Sequence, residues 1–332
     1  MKSQKFAFDI LTVGAATQDL FVRSRFFESK TDKNAPDGFD TCLKMGAKIE
    51  MDELTQTTGG GAANVAVTFA HFGFSTSCIG SVGKDIFGTN VITDLKQHSV
   101  DTRTLQIHPT EATGTSIILL AGSGSRAILT ARGASKHINE KKISWQKLSS
   151  PWMYISSLAG NEPLLHELFL HAKKSLTHIA WNPGGAEIDI GLKKLSPRLL
   201  QTDILFLNRE EAAGLAHCSP RDLEKIIRLL GPMPRMALVI TDGARGAYAH
   251  TMGTTWFVAP TKGKIVNTTG AGDAFGSGFT SGIMKSGDID EALRIGALNA
   301  AGVVTHMGAQ AGILPKYPSI SDIKKIIIKQ LP

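Results

Sequence analysis

Cysteine is scarce in this chain: Cys42, Cys78 and Cys218 are the three in 332 residues, odd in number and far apart. With no C-x-x-C pair and no histidine at ligand spacing, they exclude a disulfide framework and a structural zinc site. Long apolar runs are absent as well, and none approaches the roughly 20 residues of a membrane span, so no membrane partner is expected. The apolar stretch 6–16 is interrupted by Asp9 and leads to Asp19 without a small-residue cleavage site, so it reads as a first buried strand rather than a signal peptide. The expected compartment is the cytoplasm. Clustered positive charge is also missing: 36 Lys+Arg against 29 Asp+Glu give +7, but the basic residues fall in scattered pairs such as Lys141-Lys142 and Lys173-Lys174. Such pairs are solvated helix faces and exclude a nucleic-acid stripe, while the mild excess suits anionic substrates such as nucleotides. There is no internal repeat and no low-complexity tract.

What is present is an ordinary globular composition, 42% hydrophobic and 20% charged. Short β-rich runs at 10–13, 77–79, 153–155, 179–181, 204–207 and 237–241 alternate with helical patterns at 62–72, 86–98, 163–175, 220–230, 274–285, 289–305 and 321–329. Near-continuous apolar strands separated by helices predict a mostly parallel sheet covered on both faces, an α/β fold. Functional groups in such folds gather at the carboxyl ends of the strands, where Asn182, Asn208 and Asp242 fall. Two stretches break the alternation. Residues 23–58 are long, polar and charge-mixed, and 113–132 hold two apolar runs, 115–120 and 127–131, joined by Gly122-Ser123-Gly124-Ser125, a β-hairpin by turn chemistry. Segments of about 20–58 and 110–132 are therefore expected to form a small β lid on one domain spanning 1–332.

The most informative stretch is Asn267-Thr268-Thr269-Gly270-Ala271-Gly272-Asp273-Ala274-Phe275. Gly270, Ala271 and Gly272 allow a sharp turn that presents backbone N–H groups, and the helix that follows favours anions at its N-terminus. Asp273 falls in that first turn. The bland reading is a tight strand-to-helix turn with an acidic cap.

Together with Gly59-Gly60-Gly61-Ala62-Ala63-Asn64, which opens an earlier helix, this run resembles the two signatures of the ribokinase-like, phosphofructokinase-B type carbohydrate kinases. The matches extend from Gly14 to Gly312. The resemblance implies a three-layer α/β/α fold with a mostly parallel central sheet, and transfer of the ATP γ-phosphate to a hydroxyl of a sugar or sugar derivative. It implies Asp273 as general base, with the backbone of Gly270, Ala271 and Gly272 as anion hole. Asp19, Gly60, Gly61 and Asn64 would bind the acceptor, and Asn208, Thr241, Gly243 and Gly246 would lie along the nucleotide. Glu211, in Asn208-Arg209-Glu210-Glu211, would organise Mg²⁺ through water, consistent with the few carboxylates that ion needs. Asn182 would lie near acceptor and phosphate, and Arg132 could meet a substrate phosphate or simply be a surface residue. Pairing of the β lid between two copies would give a homodimer.

Two departures qualify that picture. The late signature usually begins with Asp, which with the following Thr helps potassium-activated members bind a monovalent cation; here Asn267 and Thr269 would form that site without the charge, so a weak potassium requirement is expected. The stretch between Asp19 and Gly59 is long for a ribokinase, so a remodelled lid and acceptor pocket are expected. A nucleoside acceptor, with a base slot from Phe26, Phe27 or Phe39, is the alternative, and a non-catalytic ligand-binding relative is a second.

Overall fold

The computed structural model describes residues 6–32, 39–43, 45–120, 126–261, 263 and 265–331. The chain runs β1 (Ile10–Val13), β2 (Thr17–Arg23), β3 (Glu28–Thr31), β4 (Phe39–Cys42), β5 (Glu53–Gly59), α1 (Gly61–His71), β6 (Thr76–Gly83), α2 (Ile86–Gln97), β7 (Leu105–His108), β8 (Thr115–Leu120), β9 (Arg126–Ala131), β10 (Trp152–Ile155), α3 (Glu162–Ser175), β11 (His178–Trp181), α4 (Gly185–Ile188), α5 (Leu192–Leu199), β12 (Ile204–Asn208), α6 (Arg209–Ala216), α7 (Leu223–Leu230), β13 (Ala237–Thr241), β14 (Ala247–Thr251), β15 (Thr254–Val258), α8 (Ala271–Ser286), α9 (Ile289–Val304), α10 (Ile320–Lys324) and β16 (Ile328–Leu331).

Ten strands form the central sheet in the order β16-β15-β14-β13-β12-β11-β10-β1-β6-β7. From β7 through β13 neighbouring strands are parallel, and β14, β15 and β16 extend the sheet antiparallel. The interior strands are apolar on both faces because both are covered. Trp152 and Tyr154 of β10 join Val65 of α1, Phe279 of α8 and Leu293 of α9, while Met153 and Ile155 join Leu164 and Leu168 of α3 and Leu215 of α6. Burying one such side chain contributes about 1.5–3 kcal/mol. The result is the expected three-layer arrangement with a mostly parallel central sheet.

The chain enters at β1, builds β6 and β7 on one side, then crosses to β10 on the other, so the strand order reverses between β1 and β10. Ligand crevices of open α/β sheets form at the carboxyl ends of strands at such a reversal. A separate four-stranded sheet, β5-β2-β8-β9, provides the small β structure expected beside it, and β3 pairs with β4. That sheet begins at Thr17, and Asp19 lies within β2. β8 and β9 form the expected antiparallel pair, while Gly122 to Ser125 lie outside the described residues.

One element was misread. The helix expected over 321–329 stops at Lys324, and Ile328–Leu331 form β16, paired antiparallel with β15. β-branched Ile326-Ile327-Ile328 favours a strand, and the otherwise open edge of β15 supplies the hydrogen bonds a further helical turn would have made. Among the described residues no helix is long and apolar enough to cross a membrane.

Candidate active site

The loop before α8 turns on Gly270, whose φ of +81° is the left-handed conformation that side chains disfavour. A Cβ there would lie 2.5 Å from Ala309 Cβ and 2.7 Å from Ala309 Cα, so backbone packs where a side chain would begin. The amides of Gly270 and Gly272 donate to no acceptor among the described residues, and Ala271 N reaches Thr268 O only at 3.3 Å. Unpaired N–H groups at a helix N-terminus constitute an anion cradle. Asn267 and Thr269 shape its entry: Thr269 N donates to Asn267 Oδ1 at 2.6 Å, and Asn267 Nδ2 to Met307 Sδ at 3.5 Å. Thr269 Oγ1 is buried and has no hydrogen-bond partner among the described residues.

Asp273 stands in the first turn of α8, directly behind the cradle. Asn64 Nδ2, from α1, donates to its Oδ2 at 2.8 Å, and Gln310 Nε2 donates to Asn64 Oδ1 at 3.1 Å. Desolvation raises the Asp273 pKa above the ordinary carboxylate value, and the Asn64 hydrogen bond partly opposes that rise. Gly60, at φ +92°, caps α1. A Cβ on Gly61 would lie 2.8 Å from Ser156 Cβ and 3.5 Å from Asp273 Oδ1, so the absence of a side chain keeps the space before Asp273 open. Ser156 follows β10, and its amide donates to Val13 O of β1, which puts this space at the reversal of strand order.

Asp19 faces the same space from β2. It is 5% exposed, and burial, with the Asp273 charge adding to it, pushes its carboxyl up to about 6 despite side-chain hydrogen bonds from Ser116 and Thr17. A Cβ on Gly59 would fall 2.1 Å from Asp19 Oδ2. The structure thus brings Asp19, Gly60, Gly61, Asn64, Gly270, Ala271, Gly272 and Asp273 to one crevice.

The sequence profile of pfkB family carbohydrate kinases matches residues 33–316. The chain belongs to the pfkB family of carbohydrate kinases. It is therefore a phosphotransferase with an alcohol group as acceptor. It is 28% identical to a ribokinase of Haemophilus influenzae over 80% of this chain and 87% of the relative, and 28% identical to a ribokinase of Schizosaccharomyces pombe over 95% and 96%. Among solved structures, the Methanocaldococcus jannaschii nucleoside kinase of the ribokinase family shares the fold at TM-score 0.73 and 21% identity, covering 96% of this chain and 98% of that one. An Escherichia coli protein assigned as ribokinase II, in complex with ATP and Mg²⁺, shares it at TM-score 0.75 and 20% identity, covering 96% and 98%.

In this pfkB kinase, Asn208 and Thr241 are register partners at the adjoining ends of β12 and β13. Gly243 begins a 3-10 turn, and Gly246 closes it against Val258 O, which a Cβ would approach to 2.2 Å. Glu211 is the third residue of α6. Asn208 N donates to Glu211 Oε2 at 2.8 Å and Glu211 N to Asn208 Oδ1 at 2.7 Å, a reciprocal cap that fixes the carboxylate, while desolvation raises its pKa. Asn182 is tied to β12, its Nδ2 donating to Phe206 O at 3.0 Å. Phe26 is 52% exposed and Phe27 is buried; the side chain of Phe39 lies outside the described residues.

Sequence reasoning missed Ser156 and Gln310, which distant elements bring in without a local pattern. Arg132 is exposed at the 3-10 turn after β9, in line with its surface reading. Arg126, at the start of β9, is the arginine that reaches the cradle: its Nη1 donates to Thr268 Oγ1.

Proposed function

We propose that this kinase transfers the γ-phosphoryl group of ATP to a hydroxyl of a sugar or sugar derivative, with Asp273 as general base. The observation that carries the reading is a desolvated carboxylate in the first turn of α8, held by Asn64 and placed directly behind unpaired N–H groups. Phosphoryl transfer depends on positioning and charge stabilisation, which this arrangement supplies with little covalent chemistry from the protein. The acceptor hydroxyl would rest against Asp273, oriented by Asp19 and Asn64 and admitted by the missing side chains of Gly60 and Gly61. Asp273 would take its proton. The amides of Gly270, Ala271 and Gly272 would bind the γ-phosphoryl oxygens, aided by a helix N-terminus worth about half a positive charge.

The nucleotide would lie along Asn208, Thr241, Gly243 and Gly246. ATP and Mg²⁺ are the general requirement of such kinases, and the residues present fit that ion. Glu211 has Oε2 engaged by Asn208 N, and its other oxygen has no partner among the described residues. Those residues also contain no cluster of three or more His, Cys, Asp or Glu that would hold a metal by itself. Such a donor set suits an ion kept largely by water and phosphates, and Mg²⁺ would supply charge neutralisation on the triphosphate. Asn267 and Thr269 offer a monovalent cation a poor site, because Asn267 Oδ1 is already used by Thr269 N and carries no formal charge.

The four-stranded sheet is read as a lid formed by segments 20–58 and 110–132 of one kinase domain. Its face away from Asp19 exposes Leu54, Ile117 and Leu129, an apolar surface that suits pairing with a second copy.

The reading is tested by ADP release over a panel of ribose, deoxyribose, fructose, 2-keto-3-deoxygluconate, fructose phosphates and nucleosides. Acceptor-dependent turnover with a sugar is the expected result. Turnover confined to nucleosides would move the acceptor class, and no turnover with any acceptor would reject the mechanism.

A further inference from the structure

Side chains alternate along β6, so Cys78 packs among the residues of α1 while Ile79 packs among those of α3. Ser81, two residues past Ile79, therefore faces the α3 side of the sheet, away from the helices α1 and α8 that build the crevice. It is 1% exposed, and its Oγ has no hydrogen-bond partner among the described residues. Burying a hydroxyl in that state is unfavourable, so the group calls for a partner. Ser81 lines a cavity of about 580 Å³, a volume in the range of small-molecule sites. Ser81 and Gln106 of β7 lie directly opposite each other and form its floor. The segment between β9 and β10 and the turn before α3 form its walls. Both walls are pinned. Gln106 Nε2 donates to Asn139 O at 2.8 Å, Asn139 N donates back to Gln106 Oε1 at 2.9 Å, and Asn161 Nδ2 donates to Ile138 O at 2.9 Å.

The lining is rich in donors and positive charge. It contains no acidic residue, and Lys136 and Lys142, which belong to it, pair with no carboxylate among the described residues. Glu111 stands outside the lining, its Oε1 3.9 Å from His137 Nε2. His108 Nδ1 accepts from Glu111 N at 2.9 Å, which places the ring proton on Nε2 and makes that nitrogen a donor. The 14-residue helix α3 starts at the cavity. Asn161 caps it, Oδ1 accepting from Leu164 N at 3.2 Å, so the helix contributes the positive end of its dipole rather than that free amide. A buried hydroxyl, an imidazole N–H and two ammonium groups suit an anion with several oxygens, and the ammonium groups argue against a metal ion. We propose that this cavity binds a phosphate group, held by Ser81, His108, Lys136 and Lys142, on the face of the sheet opposite the crevice. Free phosphate and a small phosphorylated metabolite both supply that group. The volume favours the metabolite, whose uncharged body would rest against Ile107, Pro109 and Ala159.

The test is isothermal titration calorimetry of the full chain with ribose 5-phosphate and with inorganic phosphate. Wild type is compared with Ser81→Ala and with the double variant Lys136→Met/Lys142→Met. A second double variant, Lys173→Met/Lys194→Met, removes the same charge from exposed positions outside the cavity. Binding is read without turnover, so this inference stands or fails apart from the kinase reading. The expected result is a Kd at least tenfold weaker in Lys136→Met/Lys142→Met and at least threefold weaker in Ser81→Ala. The control pair should stay within twofold of wild type, and all four proteins should share one melting temperature within about 2 °C, since the lysines are exposed and Ser81 Oγ holds nothing in the fold. Tighter binding of ribose 5-phosphate than of inorganic phosphate supports a metabolite as the source of the group, and equal binding supports free phosphate. An unchanged Kd in Lys136→Met/Lys142→Met overturns the proposal, because the ligand then sits elsewhere. An equal loss in the control pair overturns it too, since that marks net charge alone, as does the absence of binding by either compound up to about 10 mM.

Discussion

Asn64 Nδ2 and Asp273 Oδ2, 209 residues apart in sequence, meet at 2.8 Å and join the first turn of α1 to the first turn of α8. The bond holds one carboxylate oxygen and leaves the other toward the space that Gly61 keeps open. Replacing Asp273 by Asn should keep the packing and ATP binding while reducing kcat by about 10²–10⁴, the range of a positioned base. Isothermal titration with ATP and a single-turnover assay separate the two effects; unchanged turnover would remove Asp273 from the mechanism. Asn64→Leu should lower kcat less, because it misplaces the base without deleting it.

Asp19 gives a prediction about pH in two directions. Its carboxyl is pushed up to about 6 mainly by burial, against an ordinary value of 3.8. Because the folded value is the higher one, the protonated form favours folding. That contribution is fully present below 3.8 and is lost as pH rises through about 6. Above pH 6 the ionised carboxylate should therefore cost stability, and Asp19→Asn should raise the melting temperature by an amount equivalent to about 1–3 kcal/mol. Activity should run the other way. Ionised Asp19 and Asp273 are both needed, so kcat/KM for the acceptor should fall as pH drops through about 6. Thermal melts of both forms at pH 5 and pH 8, beside a pH profile of initial rates, read both effects, and equal melting temperatures at pH 8 would contradict the burial argument.

The particular residues show how much was legible beforehand. The bounds of β1 and β13 follow from apolar runs, and the cradle with Asp273 follows from a glycine pattern that has a conformational cause at Gly270. Asn64 was legible because it belongs to such a pattern too. Ser156, Gln310 and Arg126 were not, since each is ordinary in its own segment and gains meaning only from what the fold sets beside it. The C-terminal segment was misread because an Ile-rich run satisfies a helix face and an edge strand equally, and the open edge of β15 decided between them.

Gly270 tests whether the cradle tolerates any side chain. Its φ is +81°, and a Cβ would meet the Ala309 backbone at 2.7 Å. Gly270→Ala should therefore destabilise the fold by about 1–3 kcal/mol through strain and overpacking. The displaced amides should also lower kcat by at least tenfold. A variant with wild-type melting temperature and kcat would show that the loop has room the packing denies.

The last prediction concerns Asn267, which is 4% exposed, with Oδ1 holding Thr269 N and Nδ2 against Met307 Sδ. Neither contact needs a cation, and a neutral amide gives one little to neutralise, so replacing sodium by potassium should change wild-type kcat by less than about twofold. Asn267→Asp keeps the Oδ1 acceptor but buries a charge, and buried charges need a partner or an ion. Thr269 Oγ1, without a partner among the described residues, stands ready as a second oxygen ligand beside it. The variant should lose stability in choline or sodium buffers and regain part of it in potassium, and its turnover should acquire potassium dependence. Melting curves and initial rates in matched chloride salts check both. Strong potassium activation of the wild type would mean that an uncharged site suffices, and would reassign the cation binding to backbone carbonyls.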